Sequence, residues 1–208
     1  MTDELRFERL FHPGDYKETA VLIYNTDPYI YRDLFGSVEN ACRVLAFSFE
    51  NERCVFHRDE IYLIKNGRDE VIGCTLNASE GMRWDRDAIL SDFERAEVEP
   101  TAAFVSASDY MEKTYNYRKL GKNICNVSVK EDCRGRGVAS FLLYNLFKLC
   151  DRGVFELTVL EDNTAAIRLY EKFGFRIIGN AFDDYGGHGL PPVRCYRMVY
   201  NGNPDHLF

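Results

Sequence analysis

No hydrophobic run in this chain approaches membrane-spanning length, and the opening MTDELRFERL lacks the basic-then-apolar pattern of an export signal. Both absences lead us to expect a cytoplasmic protein with no membrane partner. An excess of cations is missing too. Lys plus Arg number 26 against 33 Asp plus Glu, a net charge of −7, and this argues against a nucleic-acid partner, whose phosphates favour basic surfaces. The seven cysteines, Cys42, Cys54, Cys74, Cys125, Cys133, Cys150 and Cys195, make an odd count with no two at CxxC spacing. They read as reduced thiols rather than a disulfide frame. His12, His57, His188 and His206 are equally scattered, so no metal is expected. There is no internal repeat, no low-complexity tract, and no GxxxxGK(S/T) phosphate loop.

What remains is an ordinary globular composition. The 208 residues are 46 % hydrophobic and 28 % charged, enough to bury a core in one domain spanning 1–208. Periodicity predicts a strand over 5–11, a helix over 16–26, and a new segment from Asp27-Pro28. A helix capped by Ser37 runs to about Glu50. Strands over 60–66 and 70–76 flank Asn66-Gly67-Arg68-Asp69, whose turn chemistry favours an antiparallel hairpin. Two polar helices over 85–97 and 100–118 read as surface elements that either cover a binding site or plug a sheet edge. From 124 the pattern is regular: strand 124–129, helix 136–150, strand 154–160, helix 163–173, and strands 174–180 and 193–200. Strand, helix and strand of these lengths make one parallel crossover. The glycine-rich stretch 183–192 links the last two strands, and the tail NGNPDHLF is expected to fray.

The densest chemistry lies in NVSVKEDCRGRGVA, where an apolar strand turns through Arg134-Gly135-Arg136-Gly137-Val138-Ala139 into a helix. Small residues at a helix start leave backbone N–H groups free to meet an anion, and the helix dipole adds positive potential there. A dinucleotide fingerprint is an alternative, since Gly135 and Gly137 fit and Glu161 follows the next strand; Ser140 replaces its third glycine, and the turn before Gly135 is long for it. A plain structural turn is another. After the next strand comes Asn163, placed as a helix cap, with Tyr170 seven residues on. At about 100° per residue Tyr170 returns to nearly the same face as Asn163, with the small Ala166 between them. Tyr170 fits equally into a core stripe with Ile167 and Phe173. Cys133 near a helix start reads as a small turn residue, not a nucleophile.

Together, R-x-x-G-x-A (Arg134, Gly137, Ala139) and N-x-x-A-x-x-x-Y-x-x-x-G-F (Asn163, Ala166, Tyr170, Gly174, Phe175) resemble the GNAT superfamily of N-acetyltransferases. The resemblance is specific over about 120–200. It implies an α/β fold of the acyl-CoA N-acyltransferase type, a mixed, twisted sheet with a splayed strand pair and flanking helices. It implies acetyl-CoA as cosubstrate, held by the backbone of Val127, Ser128 and Val129 along the pantetheine arm. The amides from Arg134, Gly135 and Arg136 through Gly137, Val138 and Ala139 would hold the pyrophosphate. Asn163 resembles the residue near the pantetheine or cysteamine region. An amine would attack the thioester directly, with the Val129 N–H stabilising the oxyanion and Tyr170 protonating the leaving thiolate. Where some members carry a glutamate as base, this chain has Asn123; Glu80, Glu161, Asp183, Asp184 and His188 are the substitutes weighed. The acceptor is expected to be a small-molecule or peptide amine, with 78–122 a helical elaboration on its side. Specificity is expected from 28–50, 78–118 and 181–192, where Tyr29, Tyr31, Tyr110, Tyr115, Tyr117 and Tyr185 are candidate pocket residues. A homodimer is possible, dimers being the commonest assembly. The competing functions are a non-catalytic acyl-CoA-binding or sensory domain and a dinucleotide-dependent oxidoreductase.

Overall fold

The computed structural model describes residues 4–27, 29–78, 83–116, 121–149, 153–185 and 193–200. Its strands are β1 (Arg6–Arg9), β2 (Ile61–Lys65), β3 (Val71–Ala78), β4 (Lys122–Val129), β5 (Phe155–Leu160), β6 (Arg176–Tyr185) and β7 (Val193–Tyr200). Its helices are α1 (Tyr16–Tyr24), α2 (Ile30–Phe35), α3 (Val38–Ser48), α4 (Arg86–Arg95), α5 (Phe104–Asn116), α6 (Val138–Leu149) and α7 (Thr164–Lys172). The strands form one sheet in the order β1-β2-β3-β4-β5-β7-β6. Among the described residues, every neighbouring pair is antiparallel except β4 with β5, which is parallel. This is the expected mixed α/β sheet.

Period-two alternation in β2 explains why the sheet is covered on both faces. Ile61 and Leu63 enter one core, with Phe35, Leu45, Phe49, Trp84 and Phe93; Tyr62 and Ile64 enter the other, with Leu142, Leu146, Phe147, Phe155 and Tyr200. The β2–β3 hairpin closes as its turn chemistry predicts: Asn66 Oδ1 accepts the N–H groups of Arg68 and Glu70 at 2.9 and 3.1 Å, and Asp69 takes φ of 64°. Ser37 caps α3, accepting the Asn40 N–H at 3.1 Å.

Three expectations need correction. The polar helices over 85–97 and 100–118, read as surface elements, are α4 and α5 and complete the first core through Ile89, Phe93, Phe104, Ala107, Met111 and Tyr115. Their overall polarity hides a narrow apolar stripe at helical spacing, which is all that burial of one face needs. The strand expected from 174 starts at Arg176, because Phe173 and Gly174 (φ 87°) still close α7, with Gly174 N–H donating to Glu171 O at 2.9 Å. It then runs to Tyr185, so Asp183 and Asp184 are strand residues and not part of a loop. The stretch 186–192 and the tail 201–208 lie outside the described residues.

The feature that positions the site is the contact between β4 and β5. They pair only at Lys122 with Phe155 and Asn123 with Glu156. At this closed end the backbones press together. The Lys122 N–H donates to Val154 O at 2.9 Å, and a Cβ on Gly121 would sit 1.9 Å from that same oxygen. From Ile124 onward β4 stays laddered to β3 as far as Val129 but has no register with β5. Between Cys125 and Ser128 the register slips. Asn126 and Val127 together oppose Thr75, and Asn126 takes φ of 52°, so a β-bulge bends β4 where the two strands part.

Candidate active site

The open half of β4 presents its backbone to the fork. The Lys130 N–H donates to Ile72 O at 2.9 Å, which makes Val129 and Gly73 a non-hydrogen-bonded pair of the antiparallel ladder. By strand alternation the Ser128 N–H faces β3, while those of Val127 and Val129 face away from it, toward the gap left by β5. The Val129 carbonyl points the same way and accepts Arg134 Nε at 3.2 Å. Ser128 itself is buried.

Beyond Val129 a short 3-10 turn, Glu131–Cys133, leads to the glycines. Gly135 and Gly137 take φ of 71° and 83°, and an added Cβ at either would meet nothing within 4 Å. Backbone conformation, not crowding, is what calls for glycine there. The Gly137 carbonyl accepts the Phe141 N–H at 2.9 Å and so starts α6. The N–H groups of Val138, Ala139 and Ser140 consequently have no acceptor within the helix. α6 begins at Val138, not at 136 as the sequence suggested, and this leaves the whole 134–137 stretch as open turn. Arg134 folds back over β4, whereas Arg136 lines a separate cavity with Arg68 and Lys130.

α7 supplies the opposite wall. Asn163 caps it, its Oδ1 accepting the Ala166 N–H at 3.2 Å. Tyr170 is buried and stands edge-on to Phe175 at 5.8 Å. Burial pushes its phenol pKa up from the ordinary value, so the hydroxyl keeps its proton.

Two cavities meet at this fork. One, of about 490 Å³, is lined by Val127, Val129, Cys133, the turn residues Arg134, Gly135 and Gly137, the start of α6, Ala165, Ala166, Leu169 and Tyr170. A narrower one, of about 160 Å³, includes Asp27, Tyr31, Tyr110, Tyr115, Asn163 and Tyr170 in its walls. Val127, Ala166 and Tyr170 line both. One end of the pair is therefore a cradle of free N–H groups, the other is aromatic, and a single protonated phenol stands where they join.

Residues 29–175 match the Acetyltransferase (GNAT) family. The chain belongs to the GNAT acetyltransferase family. Its architecture agrees with that family. An N-acetyltransferase from Staphylococcus aureus Mu50 superposes with a TM-score of 0.64 at 18 % identity, covering 94 % of this chain and 100 % of that one. The NatC complex bound to a Gag peptide and CoA gives 0.56 at 14 % identity, covering 96 % and 99 %. In sequence, the L-amino acid N-acetyltransferase AaaT of Escherichia coli K12 is 40 % identical over 57 residues, 26 % of this chain. That match spans 35 % of the relative's length.

Within this GNAT acetyltransferase several residues were not singled out by the sequence reading. Asn126, the bulge residue, donates through Nδ2 to Thr26 Oγ1 at 2.7 Å and to Tyr31 OH at 2.6 Å, tying β4 to the α1–α2 connection and to α2 itself. The only sequence trace of this is a polar residue interrupting an apolar strand. Asp27 was read as a segment start, yet it lines the narrower cavity. Of the tyrosines suggested for a pocket, Tyr31, Tyr110 and Tyr115 line it. Tyr29 is exposed, and the side chains of Tyr117 and Tyr185 lie outside the described residues. Asn123 is buried at the closed end and does not line the cavity. Glu161 is exposed and accepts the Tyr196 hydroxyl at 2.9 Å. The side chains of Glu80, Asp183, Asp184 and His188 lie outside the described residues. Burial and Asp132 push the Cys133 thiol pKa up, consistent with a turn residue that is not a nucleophile. Among the described residues no cluster of three or more His, Cys, Asp or Glu suits a metal, the described cysteines are free thiols, and no helix is long and apolar enough to cross a membrane.

Proposed function

We propose that this enzyme moves the acetyl group of acetyl-CoA onto a primary amine by direct attack, within one unit formed by residues 1–208. The observation that carries the reading is the shared wall of Val127, Ala166 and Tyr170 between a cavity rich in unpaired N–H groups and an aromatic one. CoA suits the wider cavity by its chemistry. The positive-φ turn at Gly135 and Gly137, with the first N–H groups of α6, offers donors and dipole to a pyrophosphate. The N–H and C=O groups of β4 that face the fork suit an arm of amides lying as an added strand. CoA bound to the structurally similar NatC complex adds support from the fold.

The residues then take the following parts. The N–H groups of Gly135 through Ala139 hold the diphosphate, with Arg134 anchored on the Val129 carbonyl beside them. Val129 pairs with the arm. Val127, which lies at the junction whereas Val129 lines the wider cavity alone, donates its N–H to the thioester oxygen as charge develops there. Tyr170 gives its proton to the departing sulfur. Asn163 holds the start of α7 against the fork, and α5 closes the acceptor side with Tyr110, Met111 and Tyr115. The acceptor is a small-molecule or peptide amine entering through the narrower cavity. The chemistry asks for neither a metal nor an acyl-enzyme.

The test is CoA thiol release from acetyl-CoA across a panel of amines, with mass spectrometry of the acceptor. Amine-dependent release with a mass gain of one acetyl group is expected. Tight acetyl-CoA binding with no amine-dependent release would instead make the chain a binding or sensory domain.

A further inference from the structure

The proposed transfer lacks a group to take the proton from a protonated amine, and Asn123, at the matching strand position, cannot do so. We infer that Asp27 is that group: its carboxylate receives an acceptor that arrives as an alkylammonium ion, and takes its proton before attack. The inference rests on the acetyl-transfer reading and adds to it a residue and an acceptor class.

Three observations carry it. First, Asp27 is the one residue with a charged side chain among the described residues lining the narrower cavity. Among the described lining residues no Lys, Arg or His stands there to neutralise it, and the remaining walls are aromatic, apolar, hydroxyl, thiol or amide side chains. A lone carboxylate among tyrosine faces suits a cation. Second, the carboxyl is held, not free to swing. Oδ1 accepts the N–H groups of Tyr29 and Ile30 at 3.1 and 3.2 Å, while Oδ2 has no partner among the described residues. Third, the segment is bolted to the reaction centre. Asn126 in the bulge grips Thr26, immediately before Asp27, and Tyr31, one helical turn after it. The next residue along β4 is Val127, which shares the junction with Tyr170. Burial, with Asp33 nearby, raises the carboxyl pKa above the ordinary value, which makes it a stronger base than an exposed aspartate.

The protons balance. Asp27 takes one from the ammonium, and the neutral nitrogen attacks the thioester carbon. The C–N bond forms and the C–S bond breaks as Tyr170 protonates the sulfur. The nitrogen gives up its second proton, which restores Tyr170, and Asp27 releases the first to solvent.

The test is Asp27→Asn, which keeps an acceptor oxygen for the Tyr29 and Ile30 N–H groups and so spares the local fold. Acetyl-CoA affinity and the melting temperature serve as controls and are expected to match the wild type. The kcat/KM for an alkylamine acceptor, protonated at neutral pH, is expected to fall about 100-fold or more. For an arylamine, which is unprotonated at neutral pH, it is expected to change less than about threefold, because no proton need be removed first. Equal losses for both amine classes, or no loss for the alkylamine, would overturn the inference while leaving acetyl transfer intact. Absence of turnover by the wild type with every amine would overturn the transfer reading, and this inference with it.

Discussion

The two halves of β4 obey opposite rules. At Lys122 and Asn123 the strand is paired with β5, Asn123 also with Ala78 of β3, and the backbones pack so closely that Gly121 has no room for a Cβ. From Ile124 to Val129 it is laddered on one side only, and the bulge at Asn126 turns the free edge outward. A buried, unpaired backbone N–H costs about 1–3 kcal/mol, so a sheet leaves an edge open only where water or a ligand can satisfy it. The closed half hinges the fork, and the open half supplies donors at a fixed distance from Tyr170. Rigidity at one end of a strand is thus what makes unpaired groups useful at the other.

The sharpest way to break this contrast is at the junction. Tyr170→Phe keeps the packing against Phe175 and removes the acid, so kcat is expected to fall about 10²- to 10⁴-fold with acetyl-CoA affinity nearly unchanged; assays of wild type and variant check both. Because burial raises the phenol pKa, the proton stays on as pH climbs through the ordinary tyrosine range. The wild-type rate is therefore expected to show no loss of this acid up to about pH 10, as a pH–rate profile would reveal. At the hinge, Gly121→Ala forces a methyl group onto the Val154 carbonyl. A loss of about 3 kcal/mol is expected in urea unfolding, far more than the same change would bring at an exposed turn.

In the open half, Gly137→Ala strains a residue at φ of 83° by about 1–2 kcal/mol. A roughly 5- to 30-fold weaker acetyl-CoA affinity is expected by calorimetry, with the melting temperature falling only slightly if the strain is relieved by reshaping the turn. Smallest of all, Asn163→Ala removes one cap bond from α7 and is expected to cost about 1 kcal/mol of stability, read as a small drop in the unfolding midpoint. A large stability loss at Gly137 coupled with none at Gly121 would reverse the assignment of hinge and cradle.

Much of this architecture was readable from residue order because its signals are local. Alternation in the β2–β3 hairpin, the Ser37 cap, the Asn163 cap and the paired glycines each report on their own few residues. The motif around Tyr170 added the family. What stayed hidden depends on contacts across the chain. Asn126 is unremarkable in sequence until Thr26 and Tyr31 are brought to it, and Asp27 marks a turn until the cavity forms around it. α4 and α5 looked like surface because of their tyrosine and charged content, yet one of those charges, Asp92, is buried in the core, its carboxylate met by Ser48 and Asn51 at 2.8 and 3.0 Å. Burial of a satisfied polar group is a tertiary fact that composition does not announce.

Backbone amide exchange, followed by NMR residue by residue with and without acetyl-CoA, tests the open edge most directly. In the free protein the Ser128 amide, held by β3, should exchange slowly while those of Val127 and Val129 exchange fast, and saturation with acetyl-CoA should slow both. Protection of Val127 and Val129 already in the free protein, or exchange at both that acetyl-CoA leaves untouched, would contradict a strand edge kept unpaired to receive the thioester.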